Sequence, residues 1–144
     1  MTRLDPNYAL TWFNKGIALH DHGKYDEAIK AYSEALRLDP NNAEAWYNKG
    51  NAFNDQGKYD KAIKACDEAI RLDPTLEVAW FNKGDILNRL GKYAEAVKAL
   101  DKATELDPED AATWNKKGDT LKLIGRITEA NAAFTKAKEL GYVG

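Results

Sequence analysis

The chain has 144 residues, 44% of them hydrophobic and 31% charged, which suits one folded domain and excludes a disordered chain. Its net charge is −2, with basic and acidic residues interspersed, so we expect no nucleic-acid partner, because phosphate recognition needs a basic face. The single cysteine, Cys66, excludes an intramolecular disulfide and a multi-cysteine metal site, and it fits a reducing compartment.

The N-terminal segment lacks the apolar core of a signal peptide, and no stretch approaches the roughly 18 consecutive apolar residues of a membrane helix. We therefore expect no membrane association, and either a cytoplasmic location or a targeting signal that has been removed. Leu4-Asp5-Pro6 repeats the later Leu38-Asp39-Pro40. We interpret residues 1–8 as the tail of a preceding partial repeat in a chain cut from a longer array; a natural short N-terminus is the alternative.

The rest of the chain has a period of 34 residues. The positions that recur at this spacing are Trp12, Trp46, Trp80 and Trp114, then Gly16, Gly50, Gly84 and Gly118, and then Gly23, Gly57, Gly91 and Gly125. They divide the chain into four units, 9–42, 43–76, 77–110 and 111–144.

Each unit is predicted to form two helices. In the second unit the first helix is expected over 43–56 and the second over 60–72, with Gly57 in the turn and Pro74 after the end. Alanines recur seven residues apart on one face of the second helices, where small side chains let helices approach closely. These alanines are Ala28, Ala62, Ala96 and Ala130, followed by Ala35, Ala69, Ala103 and Ala137.

Taken together, the Trp, the Gly four residues later, the Gly-Lys-Tyr turn, the two Ala positions and the Pro resemble the tetratricopeptide repeat. The resemblance covers residues 9–140. It implies an all-α, right-handed superhelical α-solenoid of stacked antiparallel helix pairs, in which the first helix of each pair lines a concave groove. The fourth unit departs from the pattern at Asn131, Lys138 and Tyr142, which we interpret as a partly self-capping terminal repeat.

A helical wheel with Trp at zero places the residues one, two, five and eight positions later on a different face from the one that packs inside the repeat. In the family this face looks into the groove. We therefore expect a partner-binding groove lined by Phe13, Asn14, Ile17, Tyr47, Asn48, Asn51, Phe81, Asn82, Asp85, Asn115, Lys116 and Asp119. His20, Asn54, Asn88 and Lys122 lie eight positions after Trp on the same face.

Asn14, Asn48 and Asn82 offer amide donors and acceptors that match a peptide backbone. They also match an asparagine ladder found in glycosyltransferase members of the family. The function we expect is binding of an extended peptide or helix of another protein. The alternatives are that the aromatic residues pack between helices and the Asn residues are solvated or bond between repeats.

A second function remains open at this point: a structural spacer or scaffold that self-associates through its repeat ends. The family's clamp for chaperone C-termini needs a Lys one residue after Trp, where this chain has Phe13, Tyr47 and Phe81, so the chain does not resemble a chaperone-tail receptor. Lys15, Lys49, Lys83 and Lys117 suit an acidic partner, but the stronger interpretation is that their stems cover apolar surface.

No pattern indicates an enzyme, a cofactor or a metal site. His20 and His22 are two positions apart and diverge on a helix, whereas a helical metal pair needs a spacing of four. Cys66 aligns with Tyr32, Leu100 and Phe134, which predicts a small core residue. The Gly-Lys pairs lack the rest of a phosphate-binding loop.

Overall fold

A computed structural model describes residues 6–144, and these form eight α-helices. In chain order they are α1 (Pro6–Asp21), α2 (Tyr25–Leu38), α3 (Ala43–Asp55), α4 (Tyr59–Leu72), α5 (Glu77–Arg89), α6 (Tyr93–Leu106), α7 (Ala111–Leu123) and α8 (Ile127–Glu139). The all-α fold of antiparallel helix pairs is confirmed. Most of the segment interpreted as a preceding partial repeat, residues 1–5, lies outside the described residues, and residues 6–8 belong to α1.

The chain divides into two compact units, unit 1 (Met1–Pro74) and unit 2 (Thr75–Gly144). In unit 1, α1 pairs with α2 and α3 with α4, α2 packs on α3, and α1 also touches α3. In unit 2 the same pattern holds for α5 with α6, α7 with α8, α6 on α7, and α5 against α7. Each unit therefore contains two helix pairs.

Glycine ends the first helix of each repeat, as predicted. Gly57 has a φ of 76°, a conformation that only glycine adopts without strain. Its N–H donates to the carbonyl of Asn54 at 2.9 Å, and the N–H of Lys58 donates to the carbonyl of Phe53 at 2.9 Å. These bonds satisfy carbonyls that the helix end leaves free and turn the chain directly into α4.

The glycine four residues after each Trp has a different role: it lets the two helices of a pair make close contact. A Cβ on Gly16 would lie 2.5 Å from Cε1 of Tyr32, and one on Gly50 would lie 3.0 Å from Sγ of Cys66. The ring of Tyr32 is buried beside Phe13, with centroids 6.1 Å apart, and burial raises the pKa of its phenol to about 12. Cys66 is fully buried, so its prediction as a small core residue is confirmed.

Candidate partner-binding face

In unit 1 the predicted face comes from α1 and α3. Asn14 is exposed on α1, and Asn48 and Asn51 are half-buried on α3. Ile17 is half-buried and packs against the core of this unit. Since α1 touches α3, the two helices that carry these amide side chains are neighbours in unit 1.

Phe13 is not part of an accessible face, and its expected exposure to the groove is wrong. Its side chain is 8% exposed and belongs to the core cluster that includes Tyr32, Ala45 and Ala52. The residue after Trp lies at the border between two faces of its helix, and in α1 the neighbouring α3 covers it. Asn54 was placed on the same face and is also buried, at 7% exposed. Tyr47 is half-buried, and burial raises the pKa of its phenol.

In unit 2, internal contacts occupy several of the predicted residues. The ammonium of Lys116 lies 2.7 Å from Oδ1 of Asp85 and 5.8 Å from the ring centroid of Phe81. Asn115 donates to Asp119 at 3.5 Å, and Asn82 is half-buried. Asp85 also pairs with Arg89 at 3.4 Å. The change from Asn to Lys116 in the fourth repeat was the sequence signal for this ion pair, which the sequence analysis missed.

The histidines near the end of α1 contact other residues of unit 1. Nε2 of His20 lies 2.7 Å from Oδ2 of Asp55 on α3, and the His20 ring meets Tyr25 edge to face at 5.3 Å. Nδ1 of His22 lies 2.8 Å from the carbonyl oxygen of Ala18. His20 therefore links α1 to α2 and α3, whereas His22 contacts a carbonyl at the end of α1.

The recurring lysines lie over the tryptophan rings of their own repeats. The ammonium-to-centroid distances are 4.9 Å for Lys15, 5.2 Å for Lys49, 5.8 Å for Lys83 and 5.0 Å for Lys117. Such contacts are worth roughly 0.5–1 kcal/mol at exposed sites. The lysine stems thus cover apolar surface, and the spacing of three residues from Trp was the available signal for the ring contact.

Three carboxylates approach one another within 4.8 Å in unit 2: Glu77, Asp107 and Asp110. The pKa of Glu77 is raised, first because burial removes the carboxyl from water and then because Asp110 and Asp107 repel its charge. A hydrogen bond from the Thr113 hydroxyl at 3.2 Å acts in the opposite direction. Asp110 already accepts the N-capping bond from Ala112 at 3.1 Å, so this cluster is explained as a helix start.

Glu77→Gln is therefore expected to stabilise unit 2 at pH 7, by less than about 1 kcal/mol because the site is partly solvated. A raised folded pKa means that native Glu77 contributes most stability below its ordinary pKa of 4.5 and loses it as pH rises through the folded value. The amide keeps the oxygen that accepts from Thr113 and removes the repulsion. Urea unfolding should show a higher free energy of unfolding for the variant than for the wild type at pH 7, and this difference should disappear at pH 4. Glu109→Gln, at an exposed acid between Asp107 and Asp110 in the turn from α6 to α7, is the control. An equal gain in stability there would contradict the prediction.

Among residues 6–144, no helix is long and apolar enough to cross a membrane. Cys66 is inaccessible as a nucleophile because it is fully buried.

Comparisons with known proteins agree with this architecture. Sequence models of the family described as tetratricopeptide repeat match residues 5–77, 53–119 and 111–140. No curated protein sequence matches the chain.

Solved structures give the same picture. MamA, in its crystal structure, has 28% sequence identity to this chain. The two structures superpose with a TM-score of 0.88, and the match covers 94% of this chain and 80% of MamA. The first tetratricopeptide domain of Spaghetti (RPAP3), bound to the HSP90 peptide SRMEEVD, is 28% identical, with a TM-score of 0.81 over 83% of this chain and 98% of that one. YrrB, described as having an unusual peptide-binding site, is 26% identical, with a TM-score of 0.81 over 92% of this chain and 69% of that one.

Proposed function

Because the chain belongs to the tetratricopeptide repeat family, we propose that it is a protein-interaction module that binds an extended segment of a partner protein along its first helices. The observation that carries the proposal is the set of amide side chains on two touching helices of unit 1. Asn14 is exposed on α1, and Asn48 and Asn51 are half-buried on α3; we call this surface the amide face. Amide groups that both donate and accept suit a peptide backbone. The HSP90 peptide bound to the Spaghetti (RPAP3) domain and the peptide-binding site described for YrrB support the same class of function.

In unit 2 the proposed face is more polar and more highly charged. Asn82 is half-buried on α5, and the ion pair of Lys116 with Asp85 and the exposed carboxylate of Asp119 lie on α5 and α7. The aromatic contribution comes from the half-buried rings of Tyr47 and Phe81, since Phe13 is buried. The face of unit 1 would therefore offer amides to a partner segment, and the face of unit 2 would offer charges.

Replacing Asn14, Asn48 and Asn82 together with Ala is expected to weaken partner binding at least tenfold, because each lost pair of backbone hydrogen bonds costs about 0.5–1.5 kcal/mol. Ala is the better helix former, so the variant should fold at least as well as the wild type. The measurement is capture of partners from the native lysate by each protein, followed by titration of the partner identified. Asn41→Ala, in the exposed turn between α2 and α3, is the matched control. Unchanged capture by the triple variant would refute the amide face.

Self-association through repeat ends is the second candidate, and one feature of unit 2 favours it. A cavity of about 480 Å³ opens at the end formed by α7, α8 and the C-terminal residues. Its lining includes Asn115, Phe134, Lys138 and Tyr142. Sedimentation velocity over a range of concentrations tests the candidate: oligomers that survive the triple Asn variant support it, and a monomer at all concentrations contradicts it.

A further inference from the structure

Unit 1 also carries an accessible cleft, which lies on a different side of α3 from the amide face. The cleft has a volume of about 370 Å³ and lies between α3 and α4. Its lining consists of Trp46, Lys49, Phe53, Lys61, Lys64, Ala65 and Glu68. On the helical wheel of α3, Trp46, Lys49 and Phe53 fall within about 60° of one another, and Asn48 falls on the opposite side. The two surfaces can therefore be altered separately.

The cleft combines an aromatic floor with an excess of positive charge. The ammonium of Lys49 lies 5.2 Å from the Trp46 ring centroid, and that of Lys61 lies 5.8 Å from the Phe53 ring centroid. Glu68 is the only acid in the lining, and its charge is neutralised by an ion pair with Arg71. Within residues 6–144, none of the three lysines of the lining forms an ion pair.

A break in the repeat pattern leaves the Lys49 ammonium without an acidic partner. The equivalent Lys117 in the fourth repeat lies 2.8 Å from Oδ1 of Asp101, on the second helix of the repeat before it. The position equivalent to Asp101 in the first repeat is Ser33, whose hydroxyl donates to the carbonyl of Ile29 at 2.7 Å. Lys49 is also half-buried, and burial lowers its pKa, which marks an ammonium that is incompletely hydrated.

A second break adds to the positive charge of the same cleft. Lys61 occupies a position that is acidic in every other repeat, where it is Glu27, Glu95 and Glu129. In unit 2 a cleft of about 210 Å³ has the equivalent lining, and it includes Glu95 where the larger cleft has Lys61. Two separate departures from the 34-residue pattern, at Ser33 and Lys61, thus both make this cleft more positive.

We propose that this cleft of the second repeat binds an acidic segment of a partner protein, with carboxylates between Lys49, Lys61 and Lys64 and an adjacent apolar side chain on Trp46 and Phe53. The volume accommodates one or two side chains. Ammonium groups and aromatic rings together match a carboxylate followed by an apolar neighbour better than they match either alone. This surface is additional to the amide face, and the proposal does not depend on that face.

The test uses the whole chain and a fluorescein-labelled peptide of alternating glutamate and leucine, followed by fluorescence anisotropy at low salt. We expect saturable binding that weakens as salt is raised, because the charges are near the surface. Lys61→Glu and Lys64→Glu should each weaken binding about fivefold or more, since an exposed charge pair contributes up to about 1 kcal/mol and the reversal adds repulsion. Ser33→Asp should weaken it severalfold by giving Lys49 a partner while leaving the lining unchanged.

Lys30→Glu is the matched control, because it makes the same charge change at the position in the first repeat that is equivalent to Lys64. It should alter the affinity less than twofold. Glu95→Lys should make the unit 2 cleft more positive and create a second, weaker binding event, because this cleft is smaller. NMR spectra of the ¹⁵N-labelled protein locate the site, because the indole N–H resonance of Trp46 should shift when the peptide binds. Circular dichroism checks that every variant keeps its helix content.

The outcomes separate this proposal from the proposed function. Equal effects of Lys61→Glu and Lys30→Glu on affinity would refute the cleft as the binding site. Equal affinity for the same peptide with lysine in place of glutamate, or for a single-stranded DNA, would refute it as well. Loss of binding in the Asn14, Asn48 and Asn82 variant, with Lys61→Glu unaffected, would refute the cleft and support the amide face. Loss with Lys61→Glu alone would establish the cleft whether or not the amide face binds a peptide.

Discussion

Tyr32→Ala is expected to destabilise unit 1 by about 3–5 kcal/mol, the usual cost of removing a large buried aromatic ring. Tyr32 is 1% exposed and lies in the core cluster with Phe13, Ala28 and Ala45. Its ring also fills the space that Gly16 leaves open. Truncation would leave a cavity lined by both helices of the first pair and by α3. The measurement is urea unfolding, with hydrogen exchange to locate the loss, because repeat arrays do not always unfold in one step.

Tyr8→Ala provides the control for Tyr32→Ala. Tyr8 is on α1 of the same unit but is 62% exposed, so its truncation should change stability by no more than about 0.5 kcal/mol. Similar losses for the two tyrosines would show that burial is not the source of the effect. Protection lost only in unit 2 would contradict the placement of Tyr32 in the core of unit 1.

Gly16→Ala is the second large effect, and two opposing contributions decide its sign. Ala is favoured over Gly in the interior of a helix by about 0.8–1 kcal/mol. The new Cβ, however, would lie 2.5 Å from Cε1 and 2.6 Å from Cδ1 of the Tyr32 ring, which is buried and would have to shift. Overpacking of this kind costs about 1–3 kcal/mol, so we expect a net loss of stability in urea unfolding.

Two comparisons isolate this clash. Gly50→Ala should cost less than Gly16→Ala, because the side chain facing it is the smaller Cys66, with Sγ 3.0 Å from the new Cβ. Combining Gly16→Ala with Tyr32→Ala should remove the clash, so the two losses should be strongly non-additive. Additive losses in the double variant would mean that the ring is not the obstacle.

The repeat period predicted the helices well because the residues that end them act locally. The expected 43–56 and 60–72 helices are observed as Ala43–Asp55 and Tyr59–Leu72. The start of α1 differs, since this helix begins at Pro6 and not near residue 9. Proline is well suited to a first helical position because its missing N–H would have no partner there.

The candidate site was harder to predict, because accessibility depends on which helix lies alongside. A wheel drawn for α1 alone places Phe13 on its margin and contains no information about α3, which covers it. The interpretation of Lys15 and its equivalents as surface-covering residues agrees with the ring contacts observed. The charge of the second repeat's cleft is visible in the sequence only by comparing Ser33 and Lys61 with their counterparts in the other repeats.

The turn at Gly57 has a stereochemical consequence. Its φ of 76° lies in the region that the mirror image of an ordinary residue prefers, and an added Cβ would meet nothing within 4 Å. A D-alanine introduced there by chemical synthesis would keep the backbone conformation and restrict the unfolded chain, whereas L-alanine would be strained. The sharp turn between α3 and α4 is thus a point where the handedness of the residue, and not its size, sets what the fold accepts.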